Sequence, residues 1–197
     1  MRKRRPPETA GEFAARLQAD PEFVAKQRLR ERERTERSAR LRAEQEPILA
    51  DLREIGWNVN SVWDLVNTSR GYGDALPVLL RHLSLSYSDR TREGIARALA
   101  VPDAKDAWPI LAAEYRKAPM GRENGIRLGA KDGLAVALAA TASNDVMDEL
   151  IALATDRSHG SSRLLLLRAL RKSKSKAERA IEELASDPEL AKEIASW

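Results

Sequence analysis

The chain has 197 residues, 43% hydrophobic and 32% charged, with 34 Lys and Arg against 30 Asp and Glu and a formal net charge of +4. With no Cys and only two His, a disulfide framework, a thiol nucleophile, a thiolate metal site and a His-rich metal site are excluded. Residues 1–46 hold 13 of the basic and 9 of the acidic side chains, leaving 21 of each sign for residues 47–197, so the whole positive excess lies in the first 46 residues. Met1-Arg-Lys-Arg-Arg5 has the charge of a signal-peptide n-region, but Pro6-Pro7-Glu8 stands where an apolar run of roughly 7 to 15 residues is needed. No apolar stretch reaches the roughly 18 residues of a membrane span, so a cytoplasmic protein without membrane contact is expected.

Thr9-Ala-Gly-Glu12 has the spacing of a capping box, and Phe13 and Leu17 fall four apart on one face of a short helix. Asp20-Pro21 opens a second helix, because Asp accepts from free amides at the N-cap and Pro at the first helical position loses no hydrogen bond. This helix is expected to run to about Glu46. Its apolar residues, Val24, Ala25, Leu29, Ala39, Leu41 and Ala43, form neither a heptad nor a wide stripe, which disfavours a coiled coil. Composition changes at Pro47. Ile48, Leu49, Leu52 and Ile55 make an apolar face before Gly56, and Ser61-Val-Trp-Asp64 has a second capping spacing. The division expected is a basic, mixed-charge helical arm over residues 1–46 and a folded domain over 47–197, whose first helical hairpin ends near Ser69.

Beyond Gly73 the sequence repeats. Asp74-Ala-Leu-Pro77 returns 32 residues later as Asp106-Ala-Trp-Pro109, and Asp145-Val-Met-Asp148 follows after a further 39. Each opens a first helix, with Asp expected as N-cap. A second helix stands behind each: Arg92-Glu-Gly-Ile-Ala-Arg-Ala-Leu99, Lys131-Asp-Gly-Leu-Ala-Val-Ala-Leu138 and Arg163-Leu-Leu-Leu-Leu-Arg-Ala-Leu170. A short charged copy, 176–185 and then Asp187 to Ile194, suits a terminal cap. Paired helices at this period, with Asp before the first and Arg and Ala in the second, resemble HEAT-like repeats, including the short type named after phycobilisome lyases. The resemblance implies an all-α protein: a short α-solenoid of HEAT-like hairpins with a charged N-terminal helical extension. The loop from Ala118 to Gly125 is longer than the pattern asks for, and Ser158-His-Gly-Ser-Ser162 replaces an acidic turn.

Superposing the second helices brings Arg92, Lys131 and Arg163 to one position, and second helices of HEAT-like stacks line the concave surface. Three cations in register make a basic ladder suited to phosphate or to an acidic protein surface. The bland alternative pairs them with Glu93, Asp132 and Asp156. The arm offers Arg28, Arg30, Arg32 and Arg34 for a phosphate backbone, although its interleaved acids cancel much of the field and base-stacking aromatics are missing from the run. His159, Ser161 and Ser162 form a polar turn opening a helix, where free amides can hold an anion. The four Trp read as core, with Trp57 and Trp63 sealing one end of the stack and Trp197 closing the other. Gly125, Gly129 and Gly133, spaced at four, imply a close helix approach.

No catalytic set assembles from these residues. The expected function is therefore a non-enzymatic interaction module binding a partner protein on a basic concave face, with no cofactor or metal. One alternative is nucleic-acid binding through the Arg-rich arm. That would resemble the use of HEAT-like stacks by alkylpurine DNA glycosylases, whose active-site residues find no match here. Another is an immunity or antitoxin-like inhibitor.

Overall fold

The structure, a computed structural model, describes residues 9–197 apart from the side chain of Lys174, so the basic segment Arg2 to Arg5 lies outside the described residues. It is about 74% helical, with one two-stranded sheet, and therefore all-α in class. No described helix is long and apolar enough to cross a membrane. By contacts the chain divides into two units, Met1–Ala43 and Glu44–Trp197.

The first unit holds helix α1 (Ala10–Ala19) and most of the length of α2 (Pro21–Glu54). The Thr9 capping box closes as the spacing predicts: the Glu12 amide donates to Thr9 Oγ1 at 3.3 Å and the Thr9 amide to Glu12 Oε2 at 2.9 Å. Asp20 accepts from the Glu22 amide at 2.9 Å at the head of α2. Nothing in α1 is buried.

The expected helix break at Pro47 does not occur, because α2 runs through Pro47 to Glu54. A proline within a helix costs about 3 kcal/mol through its missing amide and its clash with the preceding turn. The next turn buries Ile48 and Leu52 completely, and the Glu44 carboxylate accepts from the Ser88 hydroxyl at 2.6 Å and the Thr91 hydroxyl at 2.7 Å. Gln45 Oε1 accepts from the Ser61 hydroxyl and the Val62 amide, anchoring the start of α3 (Val62–Val66). These fastenings hold residues 44–54 to the second unit and offset the proline penalty.

The second unit continues with α4 (Leu76–Leu83), α5 (Asp89–Ala98), α6 (Trp108–Lys117), α7 (Ala130–Thr141), α8 (Met147–Thr155), α9 (Arg163–Lys172), α10 (Lys174–Leu184) and α11 (Ala191–Ile194). Helices α4 with α5, α6 with α7 and α8 with α9 pack as sequential pairs, and α3, α5, α7 and α9 lie side by side in that order. Their inward residues Leu79, Ile95, Leu99, Leu111, Leu134, Leu138, Leu150, Leu166 and Leu170 make one core with no exposure. The Asp residues expected as N-caps stand instead in short 3₁₀ turns ahead of α4, α6 and α8, whose first turns have no side-chain cap. Asp74 accepts the Trp57 indole proton at 2.9 Å, and Glu149 that of Trp108 at 2.7 Å, so the first indole ties its segment to the turn ahead of α4 and the second ties α6 to α8. Trp57 and Trp108 are buried as expected, whereas Trp63 and Trp197 are only half-buried.

Two glycines set the helix spacing. A Cβ on Gly94 would stand 2.7 Å from Val62 Cγ2, and one on Gly133 would stand 3.0 Å from the Glu93 carbonyl oxygen. They occupy the same repeat position in α5 and α7 and let α3, α5 and α7 approach closely. In α9 that position is Leu165. The long loop before α7 folds as a hairpin, β1 (Arg122–Glu123) on β2 (Ile126–Arg127), turning through Asn124 and Gly125 with φ of 50° and 78°.

Candidate interaction groove

The cationic ladder expected at Arg92, Lys131 and Arg163 is turned inward, and this corrects the sequence reading of an exposed row. Arg163 is 1% exposed: its Nη1 donates to Asp187 Oδ2 at 2.9 Å, its Nη2 to Glu189 Oε2 at 2.9 Å, and its Nε to the Gly160 carbonyl at 3.0 Å. Lys131, 5% exposed, donates its ammonium to the carbonyls of Tyr115 and Ala118 at 2.9 and 3.1 Å, where α6 ends with orphan acceptors. Burial holds its pKa below the ordinary lysine range against the pull of Asp156. Arg92 pairs with Glu114 at 2.7 Å, and its Nε is buried without a hydrogen-bond partner among the described residues. The acids that engage these cations are Glu114, Asp187 and Glu189, not Glu93, Asp132 and Asp156. Glu93 instead holds Arg90 and Arg97, and Asp132 holds Arg127.

The turn expected to bind an anion also faces inward. His159 is 5% exposed, its ring centroid 4.6 Å from that of Tyr115, and the Ser162 hydroxyl joins the Tyr115 hydroxyl and the His159 carbonyl at 2.7 Å each. Only Ser161 of that set is exposed. Burial pushes the Tyr115 phenol up to about 12. Burial, and after it the Lys131 ammonium, holds His159 below the ordinary imidazole range, with Asp156 opposing and Arg116 and Arg163 adding smaller pushes downward. The unfolded chain therefore binds this proton more readily than the folded one. Stability from a neutral His159 is complete above about pH 6.5 and drains as pH falls through the lower folded value. Between pH 7 and 5, His159→Gln is expected to lose less urea-midpoint stability than the parent. Parallel losses in the two proteins would refute that assignment.

In the first unit, Arg28, Arg30, Arg32 and Arg34 are all exposed on α2, with Glu31, Glu33 and Glu36 equally exposed among them. This run is a solvated mixed-charge surface rather than a one-signed stripe.

What the side-by-side helices leave open is a groove across α5, α7 and α9. One part, about 440 Å³, is bounded by Val66, Arg70, Arg97 and Asp103; the other, about 580 Å³, by Leu164, Leu165, Arg168, Arg171, Glu193 and Trp197. The two share Ala100, Pro102 and Val136 and so lie next to each other. The floor is aliphatic, with Val136, Ala140, Leu164 and Leu165 each half-buried. Five cations border it against two acids. Arg97 is held by Glu93 at 2.9 Å, Arg70 lies over the Trp57 ring at 4.5 Å, and Arg171 stands 5.9 Å from the Trp197 ring. Arg168 and Lys172 are exposed and have no ion-pair or hydrogen-bond partner among the described residues.

The groove residues lie about 1.4 helical turns beyond the repeat-equivalent cations: Arg97, Val136 and Arg168 each follow the corresponding Arg92, Lys131 or Arg163 by five residues. A sequence signal for them existed. Four consecutive leucines, Leu164 to Leu167, sweep about 300° of arc on a helix of 3.6 residues per turn, so a single core cannot cover them all. Leu166 and Leu167 enter the core, and Leu164 and Leu165 face the groove. No family model, curated protein or solved structure matches the chain.

Proposed function

We propose that residues 44–197 form a short HEAT-like solenoid that works as a non-enzymatic interaction module, seating part of a partner protein in the groove across α5, α7 and α9. The observation that carries this reading is the side-by-side placement of half-exposed Leu164, Leu165 and Val136 with the unpaired cations Arg168 and Lys172. Apolar side chains left partly wet beside uncompensated charge cost stability in the free protein. Like charges four apart on one helix, as Arg168 and Lys172 are, repel by about 0.2–0.5 kcal/mol. A partner supplying apolar cover and opposite charge removes both costs. The buried polar groups elsewhere serve the fold. His82, 3% exposed, bonds Tyr87 at 2.7 Å through Nδ1 and Asp51 at 2.6 Å through Nε2, linking α4 to α2 and to the loop before α5.

The test is affinity capture with the intact protein from its own cell, with and without nuclease treatment, compared with Val136→Trp, which fills the groove from a half-exposed position. A protein captured by the parent is expected to be lost from the Val136→Trp eluate while the two proteins melt alike. Capture that survives the substitution would place the contact elsewhere. Capture that needs nucleic acid would favour the exposed arginines of α2.

A further inference from the structure

We propose that the partner element seated in the groove is an acidic amphipathic helix. This inference rests on the groove reading above and narrows it to one ligand chemistry. The floor is made of the small or aliphatic side chains of Val136, Ala139, Ala140, Leu164 and Leu165, so the face laid against it must be apolar. The border calls for the opposite sign. Arg168, Arg171 and Lys172 stand together on the outer side of α9, and the nearest acid lining that part of the groove is Glu193 alone.

Groove shape and backbone chemistry select a helix. The groove is elongated, passing from Val66 and Arg70 beside α5 across α7 to α9 and Trp197. Helices in contact lie about 8–10 Å apart, so the three spacings from α3, where Val66 lies, to α9 make this path roughly 24–30 Å long, the length of a helix of about 16–20 residues. Its walls are helices together with the loop and turn residues 68–73 and 100–103, and no strand lines it among the described residues, so it offers no sheet edge for an extended strand to pair with. A ligand covering an apolar floor must therefore satisfy its own backbone, and a helix does so while presenting an apolar stripe and charged flanks.

The same arginines suit phosphate, but the floor does not. A nucleic-acid strand stacks its bases on aromatic rings, and the groove offers one half-exposed ring, Trp197, beside aliphatic surface that phosphates and sugars leave uncovered.

Two fluorescein-labelled peptides of about 20 residues, matched to the path length, test this with the full chain. Both carry Leu at i, i+3, i+4 and i+7 spacing; one carries Glu on its flanks and its twin carries Lys. At 0.15 M salt the Glu peptide is expected to bind about tenfold or more tightly than the Lys twin, with an affinity that weakens as salt rises. The triple variant Arg168→Glu, Arg171→Glu, Lys172→Glu is expected to reverse the order, and the milder pair Arg168→Ala, Lys172→Ala to weaken the Glu peptide without a change in melting. The pair keeps the test decisive should the triple variant fold poorly. Equal binding of the twins, preference for the Lys twin, or Glu-peptide binding indifferent to both variants would each overturn the acidic-helix inference, leaving the groove reading to the Val136→Trp capture. Tighter binding of a 20-nucleotide oligothymidylate than of the Glu peptide, lost in the Ala pair, would overturn it in favour of single-stranded nucleic acid.

Discussion

Arg163→Ala is expected to destabilise the protein by about 3–5 kcal/mol, the range for removing one partner of a buried ion pair. In a chain of this size that corresponds to a fall in Tm of roughly 6–20 °C, at about 2–4 °C per kcal/mol. The guanidinium donates to Asp187, Glu189 and the carbonyls of Gly160 and Ala154, so it joins α9 to the end of α8 and to the turn after α10. Truncation takes the guanidinium from the Gly160 and Ala154 carbonyls and from the buried Asp187, which keeps Arg157 at 3.2 Å and the Glu189 amide at 2.9 Å, while the half-exposed Glu189 turns to water. Asp187 is held below the usual carboxylate range chiefly by the Arg163 hydrogen bond and then by the Glu189 amide. The stability from its charged form is present above about pH 4 and lost as pH falls through the lower folded value, so the variant's deficit is expected to shrink in acid. Replacing both partners with apolar residues, Arg163→Met with Asp187→Leu, is expected to recover much of the loss, since a missing pair costs less than a buried acid without its cation. Calorimetry of the three proteins decides the matter. If Arg163→Ala melts within a degree or two of the parent, the guanidinium is accessible and the concave-ladder reading returns.

Trp108→Ala carries a comparable penalty by a different route. Trp108 is 3% exposed at the head of α6, and large-to-small changes of a buried Trp cost about 3–5 kcal/mol through lost transfer energy and the cavity left behind. The indole proton bonds Glu149 Oε2 at 2.7 Å, while Glu149 Oε1 takes Arg116 at 2.5 Å. Trp108→Phe separates the two contributions. It keeps most of the ring volume and removes only the donor, so its cost is expected near 1 kcal/mol, because Glu149 retains Arg116 and contact with water. Urea midpoints that place Trp108→Phe level with Trp108→Ala would show that the hydrogen bond, rather than the packing, holds this joint.

The helical pairs were readable because their information is local. Pro at the heads of α4 and α6, a 3.6-residue apolar period and a recurring second-helix pattern all lie within single segments, and α4 to α9 appear where the repeats fall. Pro47 misled for a related reason. Its local cost is real, but Glu44, Gln45, Ile48 and Leu52 find their partners tens of residues away, and those contacts carry the helix through. The hairpin at Arg122–Arg127 carried a local sign that went unused, since Asn124-Gly125 is the dipeptide that accepts positive φ at both turn positions.

The sequence by itself determined the class of the fold, the pairing of its helices and the confinement of excess positive charge to the first 46 residues, because each follows from periodicity, capping chemistry or composition along one stretch of chain. Only the tertiary structure decided which side of each second helix meets solvent. Arg92, Lys131 and Arg163 stand in the first turns of their helices at the seam with neighbouring elements, where Glu114, the carbonyls ending α6, and Asp187 are the acceptors. Five residues later the same helices turn Arg97, Val136 and Arg168 to the open groove. That choice depends on the rotation of one helix against the next. Gly94 and Gly133 set this rotation by permitting close approach, and Leu165 ends the pattern by facing the groove. A repeat alignment preserves equivalence between positions but carries no angle, so it identified the second helices without showing which of their residues reach solvent.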